Sequence, residues 1–343
     1  MDYRIIEPAG DETFRQWDDF VKNHPNGNIF QTRWMYELYK TVKGYQPLAL
    51  LLTDSQGALA GVLLALIITN GPPLLSRFTA RAIITGGPLV RDDNPQLIEH
   101  IIKAYLEKIN GRAVYSQVRN LFKMPGEEIF KHAGFTFTDH LDIHISLEPG
   151  KDELLSYVHK ERRRNIGRAE NKGVLFSEVT SSGELLQGIN LVRATYRTIG
   201  LPAPPDDLLL NAALSHSYAC AFACKYEGIM IAFRIVLCYK DMVYDWYAGS
   251  DSQYHNKYPN DYLPWKIILW SKEKGYKVFD FGGAGKPGVP YGVREYKLKF
   301  GGHLFHFGRF EQVHQPILMQ AGKAGIKIYK EIKKMSIFRG HGI

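Results

Sequence analysis

The sequence contains few cysteines and no hydrophobic run long enough to cross a bilayer. Cys220, Cys224 and Cys238 lack the paired spacing of a zinc site, and their odd number is not typical of a disulfide framework. The apolar stretch ALAGVLLALII is too short for a membrane-spanning helix. The first residues, MDYRIIEPAGDETF, lack the basic and apolar regions of a signal peptide. We therefore predict a cytoplasmic protein with buried thiols.

The segment 279–288, FDFGGAGKPG, lacks the context of the nucleotide-binding motifs that its letters resemble. Pro287 stands where a P-loop requires Ser or Thr. Pro290 and Gly292 follow where a dinucleotide-binding loop would begin a helix. The chain also has no HRD sequence, which a protein kinase requires. We interpret the segment as a strand that ends in a glycine-rich turn, where the backbone can approach a ligand.

Positive charge exceeds negative charge and is concentrated in two places. The net charge of the 343-residue chain is +8, which favours an anionic partner. The segment HKERRRNIGRAENK holds six Lys or Arg residues against two Glu, and the segment from Lys323 to Arg339 holds six against one. Each run is equally typical of a solvated helix face, so charge alone does not identify the partner.

The two halves of the chain repeat one order of predicted elements. Two helices precede an antiparallel hairpin in each half, at 47–68 and at 219–239. Each hairpin is followed by a strand, a helix and another strand, from ARAIITGG to AVYSQV in the first half and from MVYDWYAG to KVFDFG in the second. The order predicts an α+β fold with two tandem domains, 1–150 and 151–320, each a mixed central sheet flanked by helices. It is similar to the GNAT acyltransferase fold.

Five segments spread over almost the whole chain carry a family resemblance: NIFQTRWMYELYK, GGPLV, RRRNIGRAENKGV, PNDYLPWKIILWSKEKGYKVFDFGG and YGVREYKLKFGG. In this order and spacing they resemble the FemABX family, whose members consist of two GNAT-like domains in tandem. The resemblance implies transfer of an amino acid from aminoacyl-tRNA to an amine of a peptidoglycan precursor or a related cell-envelope glycan. It implies a nucleotide-linked or lipid-linked acceptor and no cofactor.

The resemblance identifies Lys297 as the candidate catalytic residue, which would stabilise the oxyanion of the tetrahedral intermediate. Tyr296 and Phe300 belong to the same YK..FGG motif and are predicted to contact substrate. Strand alternation would place Lys299 on the same face as Lys297, as a second candidate. The alternative interpretation is a pair of exposed edge-strand lysines that discourage aggregation.

The resemblance also predicts residues that bind a diphosphate. Arg197 in ATYRTIGLP matches a phosphate-binding arginine of the family, and Lys43 with Tyr45 in TVKGYQP resembles a lysine–aromatic pair of the first domain. Arginine offers a planar fork and lysine a point charge, which together suit a diphosphate. Alternatively, Arg197 pairs with Asp206 or Asp207, and Lys43 caps the end of its helix.

Aromatic residues alternate with an acid in the segment VYDWYAGSD. Tyr244 and Trp246 would share one face of a strand, and Asp245 and Tyr247 the other, so that one of the two faces lines the substrate groove. Tyr244 and Tyr247 are therefore candidate substrate contacts. Asp245 is the candidate general base and Asp280 a second one, and each has the alternative role of a structural carboxylate.

A metal site is not predicted. His140 and His144 share a predicted strand face with Asp142, an alternation that a metal site can use. No further ligand is evident in the sequence, and polar strand faces are ordinary.

The chain departs from the FemABX pattern in ways that leave other functions open. The interval from Lys172 to Glu184 is too short for the long helical arm of some members, and Gly86 stands where an arginine often precedes Gly-Pro. One alternative is an acyl-CoA-dependent N-acyltransferase in surface polysaccharide biosynthesis, and another is a non-catalytic binding module of the same fold. The CoA-binding pattern [Q/R]xxGx[G/A] occurs only as RNIGRA inside a predicted helix, which favours the aminoacyl-tRNA donor.

The segment 321–343 is predicted to form a basic C-terminal helix. By the family resemblance it packs back on the first domain. Its apolar and basic residues at helical spacing are also typical of a helix that lies on the inner face of the membrane, as a peripheral contact.

Overall fold

The computed structural model describes residues 3–69, 79–215 and 217–322, which form two compact units. Unit 1 takes in the described residues of Met1–Tyr36, of Gly44–Thr138 and of the segment from Arg309 to residue 322. Unit 2 takes in Glu37–Lys43 and Asp139–Gly308. The predicted basic helix at 321–343 lies almost wholly outside the described residues. No helix among the described residues combines the length and the apolar character that a membrane span requires.

Unit 1 is built on one mixed sheet in the order β1-β2-β3-β4-β6-β15-β7, with β5 paired to β3. Its strands are β1 (Arg4–Ile6), β2 (Tyr45–Thr53), β3 (Leu59–Ile68), β4 (Arg81–Thr85), β5 (Leu89–Val90), β6 (Tyr115–Arg119), β7 (Thr136–Thr138) and β15 (Arg309–Val313). Its helices are α1 (Asp11–Asn23), the start of α2 (Arg33–Lys40), α3 (Pro95–Ile109) and α4 (Glu127–His132). The predicted hairpin at 47–68 is confirmed as β2 and β3.

Unit 2 is built on a second mixed sheet in the order β14-β8-β13-β12-β11-β10-β9. Its strands are β8 (Leu141–Ser146), β9 (Leu175–Glu178), β10 (Ala219–Tyr226), β11 (Ile229–Tyr239), β12 (Met242–Ser250), β13 (Val278–Gly283) and β14 (His303–His306). Its helices are α5 (Lys151–Tyr157), α6 (Lys160–Asn171), α7 (Ser182–Thr198), α8 (Asp206–Leu214), α9 (Pro259–Glu273) and α10 (Gly292–Leu298). The predicted hairpin at 219–239 is confirmed as β10 and β11.

Local sequence signals explain where several helices begin. The side chain of Asn94 accepts a hydrogen bond from the amide of Gln96, and Pro95 occupies the first turn of α3. The basic stretch that follows residue 150 is divided into α5 and α6 rather than one helix. His159 lies between them and accepts a hydrogen bond from the amide of Glu161, so it caps the second helix.

Each sheet contributes one face to a separate hydrophobic core. The core of unit 1 includes the buried strand residues Leu50 and Leu63, against which α3 packs through Ile101. The core of unit 2 contains Phe279 and Phe281 of β13 together with residues of α6 and α9. Two independent cores agree with the prediction of two domains.

The limits of the units differ from those expected at 150 and 320, because strands near both limits belong to the other sheet. Strand β8 pairs with β13 and β14 in the second sheet. Strand β15 pairs with β6 and β7 in the first sheet. The chain therefore leaves unit 1 after Thr138 and returns to it at Arg309.

Candidate functional site

The parallel strands β12 and β13 of unit 2 pair over only three residues and then separate. Tyr244 is opposite Asp280 in the last pair, whereas β12 continues to Ser250 and β13 to Gly283. Separated strands expose N–H and C=O groups that can hydrogen-bond to another group. We call the opening beyond Tyr244 and Asp280 the strand cleft.

The corresponding strands of unit 1 stay together. Strands β4 and β6 pair in parallel along all five residues, from Arg81 opposite Tyr115 to Thr85 opposite Arg119. The amide of Gly86 extends the pairing by donating a hydrogen bond to the carbonyl of Arg119 at 2.9 Å. The candidate site is therefore in unit 2.

Lys297 fills the strand cleft. Its Nζ donates hydrogen bonds to the carbonyls of Phe281 at 2.5 Å, Gly282 at 3.2 Å and Gly283 at 2.9 Å. An ammonium group has three N–H donors, so all of them have an acceptor here. Gly282 has φ of 71°, and this left-handed conformation interrupts the alternation of strand carbonyls. Successive carbonyls can therefore face one ammonium group.

The prediction that Lys297 and Lys299 share a strand face was wrong. Lys297 lies in the last turn of α10, and Lys299 caps the end of that helix. The ammonium group of Lys299 pairs with Glu161 at 3.2 Å, where both side chains are exposed. The two lysines therefore have different partners, and the cleft contains Lys297.

Burial lowers the pKa of Lys297, while the carboxylates of Asp245, Asp142 and Asp280 act in the opposite direction. Desolvation disfavours the charged ammonium form, and nearby anions favour it. The cleft therefore contains a cation that gives up its proton more readily than an exposed lysine does.

Arg234, Asp245 and Tyr296 form a buried network next to Lys297. Arg234 pairs with Asp245, and its Nη2 donates to the hydroxyl of Tyr296 at 3.1 Å. The Tyr296 hydroxyl in turn donates to the carbonyl of Asn260 at 2.6 Å. Burial alone would lower the pKa of Arg234, but the Asp245 carboxylate raises it. Burial raises the pKa of Tyr296, which keeps its hydroxyl protonated as a donor.

The network includes an arginine that sequence reasoning missed. Arg234 is the one charged residue of the apolar strand β11, IMIAFRIVLCY. A charged side chain is rarely buried without a partner, so its isolation in this strand was a usable signal. Arg162 of α6 was also missed. It pairs with Asp261 and lies over the Tyr296 ring at 4.6 Å from the centroid.

A bulge in β12 changes which side chains share a face. Asp245 is opposite Val236, but Tyr247 is opposite Ile235, so Trp246 is an extra residue in the pairing. Asp245 and Tyr247 therefore lie on opposite faces of the sheet, and the prediction that they share one was wrong. The ring of Tyr247 lies 6.1 Å from that of Tyr196 on α7.

Three other residues that were predicted to bind substrate, Phe300, Tyr244 and Tyr45, lie in three different parts of the structure. Phe300 is 2% exposed and packs in the core against Phe281, with ring centroids 5.4 Å apart. It therefore contacts the strand whose carbonyls bind Lys297. Tyr244 is half-buried, and its hydroxyl lies close to Gly282, 3.1 Å from the position that a Cβ there would take. Tyr45 belongs to unit 1, as the first residue of β2.

Two of the predicted diphosphate-binding residues belong to unit 2. Arg197 is exposed in the last turn of α7. Its proposed structural partner Asp206 pairs with Arg193 instead. Lys43 is exposed, and its backbone amide, not its ammonium group, contacts Asp207 at 3.2 Å.

A second group of titratable residues lies on the same face as Tyr244. His144 of β8 is directly opposite Asp280 of β13, and Asp142 is two residues earlier on β8. Burial raises the pKa of Asp142 well above its usual range, and Asp280 adds to the rise. The sequence prediction missed Asp280 as the third member of this group. His140, which it included, precedes β8.

Comparison with known proteins relates unit 2 to acyltransferases. Residues 158–298 match the family model described as an acetyltransferase (GNAT) domain. A Lipid II:glycine glycyltransferase of Staphylococcus saprophyticus is 26% identical over 121 residues, which are 32% of this chain and 29% of the relative. The same enzyme of Staphylococcus haemolyticus is 27% identical over 120 residues, 31% of this chain and 29% of the relative. The chain thus matches less than a third of the length of these relatives.

Solved structures with a similar fold extend over nearly the whole chain. FemX has a TM-score of 0.70 at 16% identity and covers 93% of this chain and 99% of its own. The structure of L-PGS from Bacillus licheniformis has a TM-score of 0.56 at 16% identity, covering 88% and 91%. A tandem GNAT protein from the clavulanic acid biosynthesis pathway has a TM-score of 0.57 at 10% identity, covering 91% and 99%.

The fold is that of two tandem GNAT-like domains, as predicted. The order of the sequence motifs, the glycyltransferase matches and the FemX fold together confirm the resemblance to the FemABX family.

Proposed function

We propose that this chain is an aminoacyltransferase that moves an amino acid from aminoacyl-tRNA to an amine of a peptidoglycan precursor or a related cell-envelope glycan. The observation that carries the proposal is the buried ammonium group of Lys297 in the strand cleft, where strand carbonyls orient it. The named activity of the Lipid II:glycine glycyltransferases supports the choice of acceptor. The FemABX resemblance implies aminoacyl-tRNA as the donor.

The proposed reaction is attack of the acceptor amine on the ester carbonyl of the donor. A C–N bond forms, the C–O bond to the terminal ribose of the tRNA breaks, and a proton of the amine ends on the ribose oxygen. The tetrahedral intermediate carries an oxyanion, which a nearby cation in a dry site stabilises. The contact from Lys297 to the Gly282 carbonyl, at 3.2 Å, is the longest of its three. We infer that this contact is exchanged for the oxyanion.

Arg197 and Lys43 are the proposed contacts of the acceptor's diphosphate. Both side chains are exposed cations of unit 2. A guanidinium group binds phosphate oxygens through two parallel N–H groups, and an ammonium group adds a point charge. A nucleotide-linked precursor and a lipid-linked precursor both present such a diphosphate.

An acyl-CoA-dependent N-acyltransferase is the second candidate function, because a GNAT family model matches residues 158–298. An extended chain that carries amides binds by pairing with unoccupied strand edges. In the strand cleft, Lys297 already occupies the carbonyls of Phe281, Gly282 and Gly283. This occupancy favours an aminoacyl ester, which does not need those carbonyls, over the long amide-containing arm of CoA.

Transfer of a radiolabelled amino acid tests the proposal. The purified chain is mixed with charged tRNA and either a nucleotide-linked or a lipid-linked muropeptide, and label in the acceptor is counted. A parallel reaction contains labelled acyl-CoA in place of the tRNA. We expect transfer from the charged tRNA and no transfer from acyl-CoA. Transfer only from acyl-CoA would support the second function, and precursor binding without any transfer would identify a non-catalytic binding module.

A further inference from the structure

Asp142, His144 and Asp280 form a cluster in unit 2 to which the proposed transfer reaction, as written above, assigns no step. We propose that these three side chains bind one divalent transition-metal ion. The cluster lies on the opposite face of the sheet from the Arg234–Asp245 pair, because Asp280 is in register with Tyr244, and Tyr244 precedes Asp245 on β12. It is therefore distinct from the network around Tyr296.

Strand pairing brings the three side chains together. His144 and Asp280 are opposite each other on the antiparallel strands β8 and β13, and Asp142 lies on the same face two residues earlier. One potential ligand atom from each residue lies within 4.8 Å of the other two. Small side-chain shifts would bring all three to about 2.0–2.2 Å from a common ion.

Backbone amides orient both carboxylates. Oδ1 of Asp280 accepts a hydrogen bond from the amide of Gly282 at 2.6 Å. Oδ1 of Asp142 accepts one from the amide of Ile143 at 2.8 Å. Each carboxylate keeps its second oxygen for a ligand. Hydrogen bonds of this kind hold metal-binding carboxylates in position.

Two of the atoms that face the cluster have no hydrogen-bond partner among the described residues. These buried atoms are Oδ2 of Asp280, a residue with 0% exposure, and Nε2 of His144. They lie 3.5 Å apart. A buried polar atom without a partner is unusual and indicates an additional group, such as an ion.

A bound cation would also offset the charge of the two carboxylates. Two adjacent buried carboxylates cannot both be ionised unless positive charge offsets them. The charge of the Lys297 ammonium group acts on both carboxylates, but its three N–H groups are bound to carbonyls of β13, so none is left to donate to a carboxylate oxygen. A proton on Nε2 of His144 would pair this nitrogen with Oδ2 of Asp280, 3.5 Å away, so a metal ion and this proton are the alternatives that the experiment must distinguish. Two carboxylate oxygens and one imidazole nitrogen are a donor set that suits Zn²⁺, Mn²⁺ or Fe²⁺ better than Mg²⁺ or Ca²⁺.

His144 provides the route by which an ion can enter. Its side chain is 12% exposed, whereas that of Asp280 is 0% exposed. The rings of Phe305 and Phe307 flank the imidazole, with centroids at 4.7 Å and 5.5 Å. An apolar surround of this kind limits the access of water to a bound ion.

Metal binding by the full chain tests the proposal without any measurement of transfer. Tag-free protein is treated with a chelator, dialysed, and titrated with Zn²⁺, Mn²⁺ and Co²⁺ in a calorimeter. We expect one equivalent of ion per chain. We also expect a Co²⁺ absorption spectrum without thiolate charge-transfer bands, which separates this site from the three cysteines.

The variants Asp280→Asn and His144→Gln should each weaken the affinity by at least about 100-fold, since each removes a ligand. Asparagine keeps an oxygen that can accept from the Gly282 amide, and His144→Gln removes no hydrogen bond of Nε2, so both variants should fold. The matched control is His306→Gln. His306 pairs with Asp139 at 2.8 Å in the same unit but at an exposed position, and its loss should leave binding unchanged.

Three results would overturn the proposal: no binding of any of the three ions, equal binding by the wild type and the His144→Gln variant, or a Co²⁺ spectrum with thiolate bands. The first result would mean that the cluster holds a proton instead. If Asp280→Asn fails to fold, as judged by circular dichroism, His144→Gln alone decides the question.

Discussion

Arg234 and Asp245 form an ion pair between neighbouring strands of unit 2, with side chains only 8% and 9% exposed. The same guanidinium group donates to the hydroxyl of Tyr296, the residue before Lys297. Because both charges are buried, neither can lose its partner without leaving an uncompensated charge. The pair thereby links the position of α10 to the sheet.

Removing the acidic member of the pair should destabilise the protein strongly. We expect Asp245→Ala to lower the free energy of unfolding by about 3–5 kcal/mol, because Arg234 remains buried and unpaired. The matched control is Asp241→Ala, which breaks the exposed pair of Asp241 with Lys277 and should cost no more than about 1 kcal/mol. Urea unfolding measures both variants. Equal effects would contradict a buried ion pair.

Asp245 was also predicted to be a general base, and the same residue allows a test of that role. The double variant Arg234→Met with Asp245→Leu removes both charges and should recover part of the lost stability. Aminoacyl transfer by a folded double variant at near wild-type rates would exclude Asp245 as the base. A large loss of rate would agree either with Asp245 as the base or with displacement of Tyr296 and Lys297 after the loss of Arg234.

Replacing the lysine in the strand cleft should remove activity. We expect Lys297→Ala to reduce the rate of aminoacyl transfer by about 100-fold or more, as loss of an oxyanion donor does. Lys299→Ala, which breaks only an exposed pair with Glu161, should change the rate little. Binding of the precursor is measured alongside the rate. A rate unchanged in Lys297→Ala would refute its catalytic role.

The conformation of Gly282 provides a test of the carbonyl arrangement. Gly282 and Gly288 both have φ of 71°, so alanine at either position should cost about 1–2 kcal/mol of backbone strain. A Cβ at Gly282 would also lie 3.1 Å from the hydroxyl of Tyr244, whereas nothing lies within 4 Å of one at Gly288. We expect Gly282→Ala alone to reduce transfer, because it moves carbonyls that bind Lys297. Similar rates of transfer for the two variants would show that the arrangement of these carbonyls does not affect the reaction.

The pH dependence of stability should report on His314 in unit 1. Burial lowers the pKa of His314, whose Nε2 lies 2.6 Å from the hydroxyl of Ser116. Below about pH 6.5 the unfolded chain therefore binds a proton that the folded chain does not, and stability falls as the pH is lowered. The slope from this group is at most about 1.4 kcal/mol per pH unit. We expect His314→Asn, but not the exposed His132→Asn, to flatten the dependence in urea titrations at several pH values.

The sequence predicted the features that depend on local pattern. Turn residues between long apolar runs located both hairpins, and the repeated order of elements indicated two mixed sheets. The apolar strand of β11 with its single arginine would also have indicated the buried network. These features are set by residues that are close in the chain.

Other features depend on contacts between distant segments, and the sequence pattern did not determine them. The seven residues of α10 are too few for helical periodicity to stand out from strand alternation, so Lys297 was assigned to a strand. The bulge at Trp246 exists because β11 and β12 are paired, and it reversed the face assigned to Tyr247. The third member of the Asp142 cluster, Asp280, lies far along the chain, so only strand pairing could reveal it.

The position of β15 between β6 and β7 affects how the protein can be synthesised and divided. A ribosome synthesises residues 139–308 before it reaches Arg309. Until then, β6 and β7 of the first sheet lack β15, the strand that pairs with both of them. A fragment that ends at residue 138 would expose two strand edges, which favour aggregation. The chain from Asp139 to Gly308, in contrast, contains every strand of its own sheet. The segment Asp139–Gly308, which lacks only Glu37–Lys43 of unit 2, is therefore the part to express alone, and unit 1 requires a short linker that joins Thr138 directly to Arg309.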